Sequence, residues 1–365
     1  MEIINYSPSF QSSWDQYVAG HPGATYCHLI GWQKVIKRTY GHADHYLLAE
    51  EKGRIVGVLP LFRLKSLFFG DSLISMPFLD YGGLLSDDDE AGRNLLVAAI
   101  DLAHRLRVDG IELRHIESPQ WLEGFNQNKN DDRSNPTGRA NLVIQDRSSA
   151  KIRMLLQLPE NSEYLMKSFK SKLRSQITKP LKEGCSVTFG GTELLDDFYK
   201  VFSINMRDLG SPVHEKKLFR NLFDEFPDKS KIFLVSKDNQ CVAVSIVIGF
   251  EGVLENPWAS SLRTHRQLGT NMLLYWAMLQ YACDNGFRYF DFGRSTPGEG
   301  TFKFKEQWGP VAQNLQWTYL SLDGREGGDG SSQKVKFQRM VDYWKRLPVP
   351  LTRIIGPRLR KYIGL

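Results

Sequence analysis

A chain of 365 residues is too long for one ordinary core and fits two domains of about 150 residues with extras. At 41% hydrophobic and 24% charged residues it reads as a folded globular protein, which excludes the disordered and fibrous classes. The formal charge of +6 suits phosphorylated substrates, nucleic acid or anionic lipid and singles out none of them. The four cysteines (Cys27, Cys185, Cys241, Cys283) form no CxxC pair, and the eight histidines form no metal pattern. The start, MEIINYSPSFQSSW, has no basic segment followed by an apolar one, and no window offers about 18 apolar residues. The expectation is a reduced, cytoplasmic protein without a metal.

In chain order, His45 to Phe62 holds two apolar runs about a charged Gly turn, which predicts a hairpin. Arg93 to Arg114 repeats apolar residues at helical spacing (Leu95, Leu96, Ala99, Ile100, Ala103, Leu106), stops at Gly110 and starts a strand. Phe125 to Arg139 is polar and turn-rich, an exposed loop. Lys151 to Leu158 predicts a strand, and Glu163 to Gly184 a helix interrupted near Pro180. Leu165, Phe169, Leu173 and Ile177 form its apolar stripe, and Lys167, Lys170, Lys172, Arg174, Lys179 and Lys182 its basic faces. Lys231 to Phe250 is again two strands about a polar turn, a strand follows in GVLENPWAS, and Thr270 to Gly293 is again helix, Gly286, strand. The order of the first half therefore recurs in the second, so the fold class is α/β, with two copies of one domain, each a mixed sheet flanked by helices. The expected boundaries are 1–160, a basic connecting helix at 161–184, 185–325, and a basic amphipathic tail at 326–365. From Ser331 onward the tail carries nine Lys/Arg against one Asp, a net +8, with apolar residues interleaved.

The densest chemistry lies in FDFGRSTPGEGTFKFKEQWG, Phe290 to Gly309. Asp291 sits near a strand end, where α/β sheets bind ligands, and can orient an amine or take its proton. Arg294 can grip a carboxylate or phosphate. Read as a strand, the following run puts Lys303 and Lys305 on one face, with Phe302 and Phe304 on the other, and an anion between the lysines would relieve their repulsion. An Asp–Arg pair tying down a turn, with solvated lysines, accounts for the same residues. GRSTPGE lacks the Walker lysine and GEGTFK lacks the third glycine of a dinucleotide fingerprint. In THRQLGTN, Arg266, Gly269, Thr270 and Asn271 place backbone N–H groups at a helix start, an anion site that approximates the R/Q-x-x-G-x-G/A pyrophosphate loop of acetyltransferases. A satisfied helix cap explains it equally well.

SFKSKLRSQITKPLKEG, NPWASS with NMLLYW, GDSLISMPFLDYGGLL and above all FDFGRSTPGEGTFKFKEQWG resemble the FemAB-like members of the GNAT acyltransferase superfamily. The chain is similar to the subgroup encoded with exosortase (PEP-CTERM) and exopolysaccharide systems, over about Trp32 to Gly309 and again in the basic end RLPVPLTRIIGPRLRKYIGL. The resemblance implies two tandem GNAT-like domains. It also implies transfer of an acyl or aminoacyl group from an activated ester or thioester to an amine of a cell-envelope glycan, peptide or lipid-linked precursor. Acyl-CoA, aminoacyl-tRNA or an acyl carrier protein would be the donor, with no tightly bound cofactor. Carried onto this sequence, Asp291 is the expected base or amine-orienting acid, with Asp80 and Tyr81 of FLDYGG beside it in a catalytic role. Arg294, Lys303, Lys305, Arg174, Arg114, Glu255 and Trp258 would bind substrate, and Arg266, Gly269, Thr270 and Asn271 the donor. The coiled-coil arm that peptidoglycan Fem enzymes often insert is missing from the sequence, which weighs against a tRNA donor. The alternative is a non-catalytic relative that binds RNA or anionic glycan. The tail either lies on the inner face of the membrane or docks on the protein itself.

Overall fold

The computed structural model describes residues 1–66, 70–122, 143–146, 151–322 and 331–364. The loop expected at Phe125 to Arg139 and the Gly-rich start of the tail lie outside them. The chain forms two compact units. One is Met1–Lys151 with Asn314–Gly330 and Tyr362–Leu365; the other is Ile152–Gln313 with Ser331–Lys361.

The first unit has strands β1 (Glu2–Asn5), β2 (Ala43–Asp44), β3 (Leu47–Glu51), β4 (Arg54–Leu59), β5 (Leu61–Ser66), β6 (Gly70–Ser75), β7 (Leu85–Ser86), β8 (Gly110–His115) and β9 (Val143–Asp146). β3 and β4 make the expected hairpin about Lys52 and Gly53, both at positive φ, the geometry that matches strand twist in a two-residue turn. One sheet runs β1-β3-β4-β7. In the other, β6 and β8 are parallel neighbours, bridged in sequence by the expected helix Asp89–Leu106. Asp88 caps that helix by accepting the Ala91 N–H at 2.8 Å. Its apolar stripe, Leu95, Leu96, Ala99, Ile100 and Ala103, joins Leu47, Leu59, Leu61, Ile111 and Leu113 in one core.

The second unit is one seven-stranded sheet, and its strands are β10 (Ile152–Gln157), β11 (Cys185–Gly190), β12 (Ser230–Lys237), β13 (Gln240–Phe250), β14 (Val253–Ser261), β15 (Tyr289–Ser295) and β16 (Val311–Asn314). Their order is β11-β12-β13-β14-β15-β10-β16. β12 and β13 form the second expected hairpin, turning at Asp238 and Asn239 with φ of 49° and 60°. The expected helix and strand appear as Thr270–Asp284 and β15. The chain then returns to the first unit, where β17 (Gln316–Ser321) pairs with β8 and β9. Each half thus repeats a hairpin, a helix and a parallel strand pair, as the sequence order implied.

The connecting helix breaks where the sequence did not point. It is two helices, Ser162–Ser168 and Ser171–Lys182, parted at Phe169 and Lys170, whose ψ values of 145° and 149° are extended. Arg174 Nη1 ties the break by donating to the Phe169 carbonyl at 2.7 Å. Pro180 sits inside the second helix, which continues past it to Lys182, so the proline does not set the break. The predicted stripe of Leu165, Phe169, Leu173 and Ile177 is buried throughout.

In the first unit the segment Met76 to Leu84 departs from regular structure, with positive φ at Met76, Phe78 and Gly82. Two fully buried histidines hold it. His28 Nδ1 accepts the Thr25 N–H at 3.0 Å, which leaves Nε2 to donate to the Gly83 carbonyl at 3.2 Å. His115 Nε2 accepts the Leu84 N–H at 3.0 Å. Both bonding patterns need the neutral ring, and burial lowers the pKa of His28 to about 3 and of His115 to about 4. Unfolded, these rings titrate near 6.5. Below that pH the unfolded chain binds protons that the folded one refuses, so this part of the stability is full above pH 6.5 and is lost as pH falls toward 4. The midpoint of urea unfolding should therefore drop between pH 7 and pH 5. His115→Asn and His28→Asn, though less stable at pH 7, should flatten that drop; an equal drop in both variants would remove the histidines as its cause.

Candidate active site

The parallel pair β14 and β15 frames the candidate site in the second unit. The two strands pair only over Val253–Glu255 and Tyr289–Asp291. Beyond that register β14 continues to Ser261 and β15 to Ser295 with no ladder between them, which leaves two strand edges facing a gap. A bulge against β13 between Ile246 and Ile248 turns β14 at this point. Pro257 lies in the bulge and has no N–H to offer a partner. Asn256, almost fully buried, stitches the bulge: its Nδ2 donates to the Ile246 carbonyl at 3.0 Å, to the Trp258 carbonyl at 3.2 Å and to Ser245 Oγ.

Asp291 stands at the last paired position, with Glu255 as its register partner on β14, and both are buried. Neighbouring like charges in a sheet repel unless a cation lies between them or beside them. Arg153 of β10 provides it: its Nε donates to Asp291 Oδ2 at 2.5 Å. Asp291 Oδ1 accepts the Gly293 N–H at 2.8 Å. Each oxygen of the expected base therefore accepts one hydrogen bond, and the pair of bonds anchors the turn of β15 at Gly293. Arg294, the next residue, is half-buried.

The run after β15 corrects the expectation of a strand. Gly300–Glu306 is a helix. Its Phe304 packs edge-on to Tyr275 at 4.9 Å, and residues two apart in a helix do not share a face. Lys303 is exposed, whereas Lys305 is 8% exposed and its Nζ donates to the carbonyls of Arg294 at 2.9 Å and Gly293 at 3.3 Å. The shared anion between the two lysines is overturned by this geometry. Lys305 instead fastens the helix to the end of β15.

The predicted donor loop lies on the path from β14 into the long helix. A 3-10 turn, Arg263–Leu268, leads to Gly269 at φ 75°, a left-handed conformation that glycine adopts without strain. The helix Thr270–Asp284 follows, and the N–H groups of its first turn have no acceptor within the helix. Arg266 is exposed and Thr270 is buried. Lys179 Nζ braces the loop through the Gln267 carbonyl at 2.8 Å. Asn271 Oδ1, in this first turn, and Ser295 Oγ, at the end of β15, are buried polar atoms without a hydrogen-bond partner.

Other expected residues are placed differently. Trp258 is 8% exposed and packs edge-on against Phe219 at 5.2 Å, which is core packing and not a stacking platform. Arg174 is exposed and bound to its own helix break. Asp80, Tyr81 and Arg114 belong to the first unit. Tyr81 is fully buried, and the Asp80 carbonyl accepts the Trp317 indole N–H at 3.2 Å. Arg114, 1% exposed, bonds Glu112 Oε1 at 2.7 and 2.9 Å and the Leu79 carbonyl at 2.7 Å, and lies 4.4 Å over the Trp317 ring. Such a guanidinium holds the Met76–Leu84 segment and is no ligand for a substrate. Arg153 and Asn256 were missed by sequence reasoning. An arginine in the apolar run IRMLLQ and a proline inside a strand were the available signals.

A cleft of ≈ 980 Å³ in the same unit is lined by Leu158, Phe169, Leu173 and Trp308, with Lys170 and Lys172 among its polar groups.

The fold agrees with the comparisons. Residues 167–306 match the family model described as an acetyltransferase (GNAT) domain. No curated protein sequence matches the chain. Among solved structures, FemX superposes with a TM-score of 0.66 at 16% identity, over 88% of this chain and 97% of its own. A tandem GNAT protein from the clavulanic acid biosynthesis pathway gives 0.53 at 14% identity, over 89% and 99%. The C-terminal domain of a putative lysylphosphatidylglycerol synthetase from Agrobacterium fabrum gives 0.53 at 10% identity, over 91% and 96%. The fold is that of two tandem GNAT-like units.

Lys305→Ala should destabilise the protein by about 1.5–3 kcal/mol, the range for hydrogen bonds to a buried charged group, while Lys303→Ala should change the urea midpoint little. Equal effects of the two substitutions would contradict the helical placement of this run.

Proposed function

We propose that the protein is an N-acyltransferase that moves an acyl or aminoacyl group from an activated ester or thioester to an amine. The observation that carries this reading is the parallel pair that separates after Glu255 and Asp291, inside the stretch that matches the GNAT domain. A gap between parallel strands offers unpaired backbone N–H groups to an extended donor and to the oxyanion formed when the amine attacks its carbonyl. The first turn of the Thr270–Asp284 helix, with Arg266 ahead of it, suits a phosphate-bearing donor. Asn256 and the Asp291–Arg153 pair act as positioning residues that set the width of the gap. Transfer then needs alignment of amine and carbonyl more than a covalent intermediate: the amine nitrogen forms the new bond to the acyl carbon, the bond from that carbon to the donor's oxygen or sulfur breaks, and the proton lost by the amine ends, by way of a base or solvent, on the departing alcohol or thiol.

Two donors fit this chemistry, an acyl-CoA and an aminoacyl-tRNA. The acceptor class is the amine of a cell-envelope glycan, peptide or lipid-linked precursor. The likeness in fold to FemX and the sequence resemblance to the exosortase-associated subgroup support this class.

Isothermal titration with acetyl-CoA tests the reading. The expected result is micromolar binding that Arg266→Ala weakens about tenfold or more, as loss of a charge-assisted phosphate contact would. If acetyl-CoA does not bind, aminoacyl-tRNA is titrated at two salt concentrations. Tight tRNA binding with transfer to an amine keeps the reaction class, whereas binding without transfer to any amine would overturn it.

A further inference from the structure

The helix Val349–Arg360 is docked by one face and bare on the other. Its inner face is small and polar. Thr352 and Gly356 are buried, and Gly356 lies so near Val213 that a Cβ there would come within 3.0 Å of the Val213 nitrogen. Arg353 Nε donates to Ser203 Oγ at 2.7 Å, and Arg360 Nε donates to His214 Nε2 at 3.1 Å. The large apolar residues point the other way. Leu351, Ile354 and Leu359 are 39%, 61% and 44% exposed. They recur at a spacing that makes one stripe on a helix, and Arg358 is exposed within it. The preceding helix, Ser331–Trp344, adds Met340 and Tyr343 at 60% and 68% exposure. A helix that docks through threonine and glycine while turning leucine and isoleucine outward presents a surface built for contact.

The charge of this segment narrows the partner. Residues 331–365 carry nine Lys/Arg and one Asp, a net +8 against +6 for the entire chain. Among the described side chains, Arg339, Lys345, Arg346 and Arg358 are exposed. A second copy of the chain would bring like charges together. No described helix is long and apolar enough to cross a membrane, so a lipid partner would be met at its surface.

We propose that this face rests on an anionic lipid surface, with Leu351, Ile354 and Leu359 at the acyl boundary and the arginines and lysines among the phosphates. Because the opposite face is held by Ser203 and His214, the helix meets lipid as part of the folded unit and needs no unfolding to do so. The proposal stands apart from the acyl-transfer reading, since its residues lie outside the strand gap.

Sedimentation of the full chain with vesicles tests it. One set is phosphatidylcholine alone, and the other is phosphatidylcholine with one third phosphatidylglycerol. The protein should pellet with the second set and not the first, and high salt should release it. Arg346→Glu and Arg358→Glu should each weaken binding about fivefold or more, the size expected for one basic side chain near anionic lipid. The triple change Leu351→Ser, Ile354→Ser, Leu359→Ser should abolish it. These side chains are exposed, so unchanged urea midpoints verify that each variant is folded. No pelleting with anionic vesicles, equal pelleting with both sets, or variants that bind like the parent would overturn the proposal. Self-association that depends on the same three apolar residues, without vesicle binding, would assign the face to a second copy and overturn it as well.

Discussion

The second unit depends on how β15 is held. On one side it is zipped to β10 in antiparallel register; on the other it touches β14 over three residues only. The buried ion pair of Asp291 and Arg153 sits where the second contact ends. A charge removed from water in this way is costly unless partnered, so Arg153 and Asp291 are required together, and Gly293 is fixed through the second carboxylate oxygen. Lys305 then closes the end of β15 by binding the carbonyls of Gly293 and Arg294. Two charged side chains, Asp291 and Lys305, thus hold the backbone of one strand end, with Arg153 as the partner of the first.

The polar stretch from Phe290 to Gly309 therefore has a structural explanation. Asp291 and Lys305 are both bound to the backbone at the end of β15. The first unit uses the same device differently: Arg114, at the end of its own parallel strand β8, turns back on Glu112 and the Leu79 carbonyl, and His28 and His115 pin the segment beside it. Of the two related strand ends, one is filled by its own arginine and the other has its charges tied back beside a gap.

Much of the fold was legible because its signals are local. Both hairpins announce themselves by alternating apolar runs about a polar turn, and both long helices by apolar spacing followed by glycine. The repeat of that order exposed the duplication. The errors arose where tertiary contacts overrule local pattern. FKFK alternates like a strand, yet Phe304 finds Tyr275 and Lys305 finds two carbonyls only if the run is helical. The break at Phe169 has no glycine or proline to mark it and is tied by Arg174, whereas Pro180, the obvious breaker, lies inside a helix that runs on to Lys182. For the candidate site, sequence reasoning singled out the strand end, the Gly269 loop and the acid. It could not find Arg153, some 138 residues away, because the pairing exists only once β10 joins the sheet.

The central claim is that the gap between β14 and β15, with the helix start beyond it, receives the activated donor. Hydrogen exchange read by mass spectrometry tests this most directly, with the protein alone, with acetyl-CoA and with aminoacyl-tRNA. Slowed exchange confined to the backbone of 256–261, 269–272 and 292–295 with one of the two donors is the predicted result. Exchange at those segments unchanged by both donors, while protection appears elsewhere or nowhere, would contradict the account.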